Sequence, residues 1–225
     1  MPRHLVIAIA LVCAAVVQAQ EPSAKQIAQE RAQAELDAPR LAEVLELAPG
    51  MTIADVGAGG GAMTVVLGKW IGSGRVFATD IGQRQLDTIR DYVKREGLTN
   101  VTVLEGAADS TNLPAACCDA VFLRLVYHHI TDIEPFNQSL KAALKPGGRL
   151  AIIDFVPTKG SALPKGVPAN REGHGVPIRV VIDEISSAGL PHARTIERWP
   201  PDDKNAPGFL VLFKKPSALL FRTAR

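Results

Sequence analysis

The sequence predicts an α/β protein built on a doubly wound, seven-stranded, mostly parallel sheet with a C-terminal antiparallel hairpin. Three observations carry this. Short apolar runs alternate with amphipathic helical segments from residue 52 to residue 189, the pattern of a parallel sheet covered on both faces. A glycine-dense loop, "GAGGGA" (57–62), separates the first strand from the helix after it. The last two apolar runs are joined by "PPDDKNAP", too short for a crossover helix, so that pair must be antiparallel.

The elements follow in order. Residues 20–48 are helix-rich; Leu41, Val44, Leu45 and Ala48 recur at three- and four-residue spacing, one apolar face. Pro39 is expected to divide this segment into two helices, and Pro49-Gly50 to stop the second. Strands are expected at 52–56, 75–80, 101–106, 120–126, 149–155, 193–199 and 208–214, and helices at 61–72, 83–97, 132–144 and 179–189. A long Pro- and Gly-rich loop fills 157–177. The main domain is bounded at 49–215, with a basic tail at 216–225.

The first residues read as an export signal, 1–19. Arg3 supplies a basic start, Leu5 to Val17 an uncharged apolar run, and Val17-Gln18-Ala19 a small-residue cleavage site. The 13 apolar residues fall short of the roughly 20 that span a bilayer as a helix, so no stable membrane span is expected after cleavage. An exported location, periplasmic or secreted, follows if that signal operates; otherwise the chain stays in the cytoplasm. A formal net charge of +2 gives no electrostatic reason to expect a nucleic-acid partner. Of the three cysteines, Cys13 lies in the signal, which excludes a disulfide framework; Cys117 and Cys118 are expected as two separate thiols.

Strand, glycine loop, helix, strand, acidic residue is a nucleotide-binding unit. The loop brings backbone N–H groups and a helix N-terminus to a ligand, and Asp80 closes the second strand, where a carboxylate can accept both ribose hydroxyls. The letters Gly57, Gly59 and Ala62 fit a nicotinamide-dinucleotide fingerprint as well as a loop for S-adenosylmethionine. A short-chain dehydrogenase needs a tyrosine with a lysine four residues later, and neither Tyr92 nor Tyr127 has one.

"DVGAGGG" (55–61), "LKPGGRLAIIDF" (144–155) and the C-terminal hairpin together resemble class I S-adenosylmethionine-dependent methyltransferases over about residues 41–214. The resemblance implies S-adenosylmethionine as cofactor. It implies that Asp55, Gly57, Gly59 and Gly61 shape the pocket for its methionine part and that Asp80 holds its ribose. The family's acid for the adenine amino group is expected directly after the first glycine of "EGAADS"; here that place is Ala107, and Asp109 comes two positions later, with helix capping as its other role.

Fold rules place the acceptor outside the carboxyl ends of the strands. There "LRLVYHHI" puts Arg124, Tyr127, His128 and His129, of which either histidine suits a general base because imidazole titrates near neutrality. Neighbouring histidines point in different directions, so one at most is expected to face the site. The loop "NREGHGVP" (170–177) adds Arg171, Glu172 and His174 as substrate-side residues on a lid, or as a plain surface loop. No ligand spacing among His128, His129 and His174 demands a metal, and none is expected. A small-molecule acceptor is favoured, because two Trp, two Tyr and seven Phe leave little to stack a large planar substrate. An exported, non-catalytic binding module of the same fold is the competing function.

Overall fold

The computed structural model describes residues 24–217; the expected export signal and the end of the basic tail lie outside them. Helix α1 (Ala24–Leu45) leads into β1 (Thr52–Val56), α2 (Ala62–Trp70), β2 (Arg75–Asp80), α3 (Gln83–Arg95), β3 (Val101–Glu105) and β4 (Cys118–Arg124). A single 3-10 turn (Tyr127–His129) precedes α4 (Ile133–Ala143) and β5 (Leu144–Phe155); a second (Ala169–Arg171) lies in the long loop before α5 (Ile178–Ser187), β6 (His192–Trp199) and β7 (Gly208–Lys214). The strands form one sheet in the order β3-β2-β1-β4-β5-β7-β6, in which β7 runs antiparallel to both of its neighbours while the other pairings are parallel. This is the predicted class.

Strand periodicity sorts the core into two layers. In β4, Ala120 and Phe122 face one side with Leu41 and Leu45 of α1 and Met63 and Leu67 of α2. Val121 and Leu123 face the other with Phe136 and Leu140 of α4 and Val181 and Ile185 of α5. Helix α3 covers the edge of the first layer through Ile89, Tyr92 and Val93, packed with Val65 and Ala78. Among the described residues, no helix is long and apolar enough to cross a membrane.

The structure departs from the sequence reading at three places. Pro39 lies inside α1 rather than dividing it. A helix-internal proline frees a carbonyl one turn back, and the Arg40 guanidinium donates to the nearby Leu36 carbonyl at 2.7 Å; Ala38, Leu41, Ala42 and Leu45 are buried across the break and hold the helix together. Strand β5 begins at Leu144, not 149, because Leu144 pairs with Cys118 before a register shift that the Pro146-Gly147-Gly148 bend absorbs. Cys117 and Cys118 are joined as a vicinal disulfide instead of standing as two thiols; the left-handed backbone at Ala116 (φ 49°) turns the chain immediately before the pair.

The loop after β1 owes its glycines to two different constraints. Gly57 has φ +74°, and a Cβ there would lie 2.5 Å from Cγ2 of Val126, the residue that begins the turn after β4. Gly59 has φ +55° but open space around its Cβ position. Left-handed backbone alone costs a non-glycine residue about 1–2 kcal/mol. Gly59→Ala should therefore lower stability by about that amount, whereas Gly57→Ala adds a steric overlap and should cost about 3 kcal/mol or more. Urea denaturation of both variants would test the ranking, and equal losses would refute it.

Candidate functional site

Strand β1 lies between β2 and β4, so the chain's winding reverses at the β1–β4 seam, where ligands of open α/β sheets bind. A cavity of about 450 Å³ opens there, lined among others by Gly57, Asp80, Ala107, Ala108, Val126 and His129. That volume falls in the range of small-molecule sites, roughly 300–1,000 Å³.

Asp80 ends β2 and shapes the glycine loop from the cavity side. Its Oδ2 accepts the Gly59 N–H at 2.9 Å and its Oδ1 the Gly82 N–H at 3.2 Å. Each carboxylate oxygen has room for a further donor, so the two hydroxyls of a ribose fit this group without displacing the loop. Three other loop amides are used internally: Gly57 and Ala58 donate to the Thr79 carbonyl, and Gly61 to that of Ala58. Ala107 and Ala108 line the cavity as small side chains suited to a planar base, whereas Asp109 is exposed and not among the lining residues. Gly61 (φ 79°) starts α2, and neither it nor Gly59 lines the cavity.

Asp55 is buried on the α2 side of β1, where its Oδ2 accepts the Thr64 hydroxyl at 2.6 Å. Burial pushes its carboxyl up to about 6, against the opposing pull of the Thr64 hydroxyl and the Arg124 charge. Arg124 itself points away from the cavity and pairs with Asp37 of α1 at 3.4 Å.

After β4 the 3-10 turn sends Tyr127 inward but brings the His128 and His129 rings together, their centroids 4.0 Å apart, which corrects the expectation that the neighbouring histidines diverge. Tyr127 is buried between α4 and α5; its hydroxyl receives the Asn137 amide at 2.9 Å and donates to Glu184 at 2.9 Å. Burial first, then the Glu184 charge, holds that phenol well above its usual range. Arg171 is fully buried and forks onto the same Glu184 carboxylate at 2.8 and 3.0 Å, its guanidinium 5.4 Å from the centre of the Tyr127 ring. Tyr127 and Arg171 thus form one packed unit under the long loop and do not line the cavity, which corrects their expected place on the substrate side. The cause is Glu184: a carboxylate on α5 gives the guanidinium a buried partner, which pulls both residues inward.

His128 is buried, its backbone N–H held by Asp154 Oδ2 at 3.0 Å and its Nδ1 2.8 Å from Asp154 Oδ1. His129 lies on the cavity wall. Burial, then the neighbouring His128 and His174 rings, lowers its pKa, so the ring is neutral near pH 7. His174 reaches the same place from the long loop, its ring 5.0 Å from that of His128 and 5.7 Å from that of His129. Sequence reasoning missed Asp154 and Glu184. The signal for Asp154 was present, an acid ending the apolar run "LAIID"; for Glu184 there was none, since an acid on an amphipathic helix reads as solvated surface.

The fold and cavity define the Rossmann-like architecture of class I S-adenosylmethionine-dependent methyltransferases. Residues 54–152 match the family model of a methyltransferase domain. The chain is 30% identical over 109 residues, 48% of its own length, to a ubiquinone/menaquinone biosynthesis C-methyltransferase of Vibrio parahaemolyticus, of which it covers 42%. It thus spans less than half the length of such curated relatives. Among solved structures it is similar to a SAM-dependent methyltransferase from Aquifex aeolicus, with a TM-score of 0.66 and 26% identity over 86% of this chain and 99% of the other. It shares its fold with the [4+2]-cyclase SpnF at a TM-score of 0.63 and 16% identity, over 87% of this chain and 84% of the other.

Two stability predictions follow from the buried charges. The folded-state pKa of Asp55 is raised from 3.8 to about 6, so between these values the native state holds more protons than the unfolded chain. The contribution of Asp55 therefore weakens as pH rises through that window, by about 3 kcal/mol in all at ~1.4 kcal/mol per unit. Asp55→Asn should remove this slope while keeping an acceptor for Thr64; thermal melts from pH 4 to 7 would show it, and parallel curves for the two proteins would refute it. Arg171→Ala strands Glu184 beside a buried phenol and should cost about 3–5 kcal/mol, with cofactor affinity unchanged under conditions where the variant stays folded. Selective loss of cofactor binding in a stable variant would return Arg171 to the binding site.

Proposed function

We propose that this chain is an S-adenosylmethionine-dependent methyltransferase acting on a small-molecule acceptor. The observation that carries the reading is a single cavity at the sheet's switch point lined by both Asp80 and His129. The cofactor supplies an electrophilic methyl group on a sulfonium sulfur; what this chain supplies is position and a dry surrounding. Asp80 takes the ribose, with Gly57 allowing close backbone approach and Ala107 and Ala108 beside the adenine. Val126, Ile130 and Phe136 line the cavity with apolar surface that excludes water. His129 presents a neutral imidazole nitrogen at the wall, able to take a proton or ligate a cation. His128 acts through its neighbours as a positioning residue, fixed by Asp154.

The matched relative's name supports a carbon acceptor for that protein; here the acceptor atom follows from what His129 can reach, and a hydroxyl or thiol suits it. Residues 1–19 carry a basic start, an apolar run and a small-residue cleavage site, and these support an exported enzyme; a fusion of residues 1–30 to a compartment-sensitive reporter tests that. An exported, non-catalytic binding module of the same fold is the second reading, since one fold hosts unrelated functions.

Calorimetric titration of S-adenosylmethionine into the purified chain should give saturable micromolar binding. Asp80→Ala should weaken it at least tenfold, about 1.4 kcal/mol, and Asp80→Asn less, because an amide oxygen still accepts one hydrogen bond. A folded wild-type chain that does not bind the cofactor would sink the enzyme reading.

A further inference from the structure

We propose that His128, His129 and His174 form a binding site for a divalent transition-metal ion of the zinc class, with one coordination position left open. Ligating atoms of the three side chains all lie within 4.8 Å of one another. They come from two distant parts of the chain, the turn after β4 and the loop after β5, so only the fold brings them together.

The arrangement has the supports of a metal site as well as the ligands. Asp154 is fully buried and takes the Nδ1 side of His128, which leaves Nε2 as the nitrogen that ring can offer. A carboxylate on the remote nitrogen of a ligating histidine fixes its tautomer and raises its basicity. His174 is held with equal care. Gly173 and Gly175 flank it at φ +141° and +123°, and a Cβ on Gly175 would lie 2.8 Å from Cα of Pro157. The His174 N–H donates to Ser161 Oγ at 2.8 Å, and its carbonyl accepts the Thr158 N–H at 3.3 Å. The backbone of a long loop is thereby pinned against its own first turn at the one residue that completes the cluster.

The donor set selects the ion. Imidazole nitrogens suit zinc and its neighbours, whereas magnesium and calcium demand oxygen. Nitrogens bound to one zinc at about 2.1 Å lie roughly 3.4 Å apart, so from separations of up to 4.8 Å the rings must close by at most about 1.4 Å. His129 and His174 are exposed and can swing to do so, while buried His128 stays fixed. Three histidines leave the fourth tetrahedral position open, as in catalytic rather than structural zinc sites.

His129 lines the cofactor cavity, which puts the ion at its edge. An acceptor hydroxyl or thiol binding there forms a metal–oxygen or metal–sulfur bond as its X–H bond breaks. The electron pair stays on the heteroatom and the proton passes to bulk water. In this state His129 is a ligand and water is the base. That the resulting anion is the methyl acceptor rests on the methyltransferase reading; the metal site itself does not.

The test uses untagged full-length chain stripped with a chelator, titrated with Co2+ by visible absorption and with Zn2+ against a chromogenic competitor. One equivalent should bind, giving the d–d bands of a tetrahedral nitrogen site without a thiolate charge-transfer band. His129→Ala and His174→Ala, both at exposed positions, should each weaken binding at least tenfold. Asp154→Asn should weaken it about 10–100-fold while the three rings remain. Absence of saturable binding, a thiolate spectrum, or affinity unmoved by His129→Ala and His174→Ala would overturn the proposal. Cofactor calorimetry on the same preparation separates the two readings. Cofactor binding without metal binding refutes the metal site alone; metal binding without cofactor binding supports the site and refutes the enzyme.

Discussion

The cavity end of this molecule hangs on one buried carboxylate. Asp154 stands near the end of β5, fully excluded from water, and accepts three N–H groups: the backbone and ring of His128 and the backbone of Phe155. A buried carboxylate without such partners would cost several kcal/mol. The turn after β4 is therefore clamped to the end of β5 by its middle residue. With His128 fixed, the residues on either side have no freedom left to choose: Tyr127 is driven inward toward α4 and α5, and His129 outward onto the cavity wall. One hydrogen-bonded pair thus separates a core residue from a site residue within three consecutive positions.

The same seam is tight from the opposite side. Gly57 leaves β1 so close to Val126 that no side chain fits between them. The glycine loop and the histidine turn are in this sense a single construction, two strand ends whose approach fixes the cavity's width. Asp80 completes it by holding the loop through Gly59 and Gly82. The β1–β2 side of the cavity is built from backbone and one carboxylate; the opposite side is built from side chains that converge from separate loops. Loops carry specificity more readily than strand ends do, and the curated relatives resemble this chain over a segment of similar extent to the matched domain.

The fold was legible because its signals are local. Alternating strands and helices, the short connection before β7 and the glycine loop each announce themselves within a few residues. The place of Gly57 and Asp80 on the cavity wall was readable for the same reason: they sit at element ends whose order the sequence displays. Pro39 misled because tertiary burial of Ala38, Leu41 and Leu45 outweighs the hydrogen bond a helical proline forfeits. Tyr127 and Arg171 misled for a different reason. Their type and position suit a substrate pocket, and only the distant Glu184 decides that they pack instead. Burial of a charge is settled by its partner, and partners thirteen or fifty-seven residues away leave no mark on the local pattern.

His128, His129 and His174 make the strongest case of that blindness. Spacing in sequence gave no reason to group them, since forty-five residues separate the last two. What groups them is the combination of a carboxylate beneath one ring and paired glycines around another. Burial, then the neighbouring His128 and His174 rings, holds His129 below its ordinary pKa. That ring presents a lone pair to whatever enters. A group that must lose a proton before it can act as a nucleophile meets electron-rich nitrogens there. They either take the proton or hold the cation that makes it leave, and the Asp154 clamp holds the His128 ring beside the other two.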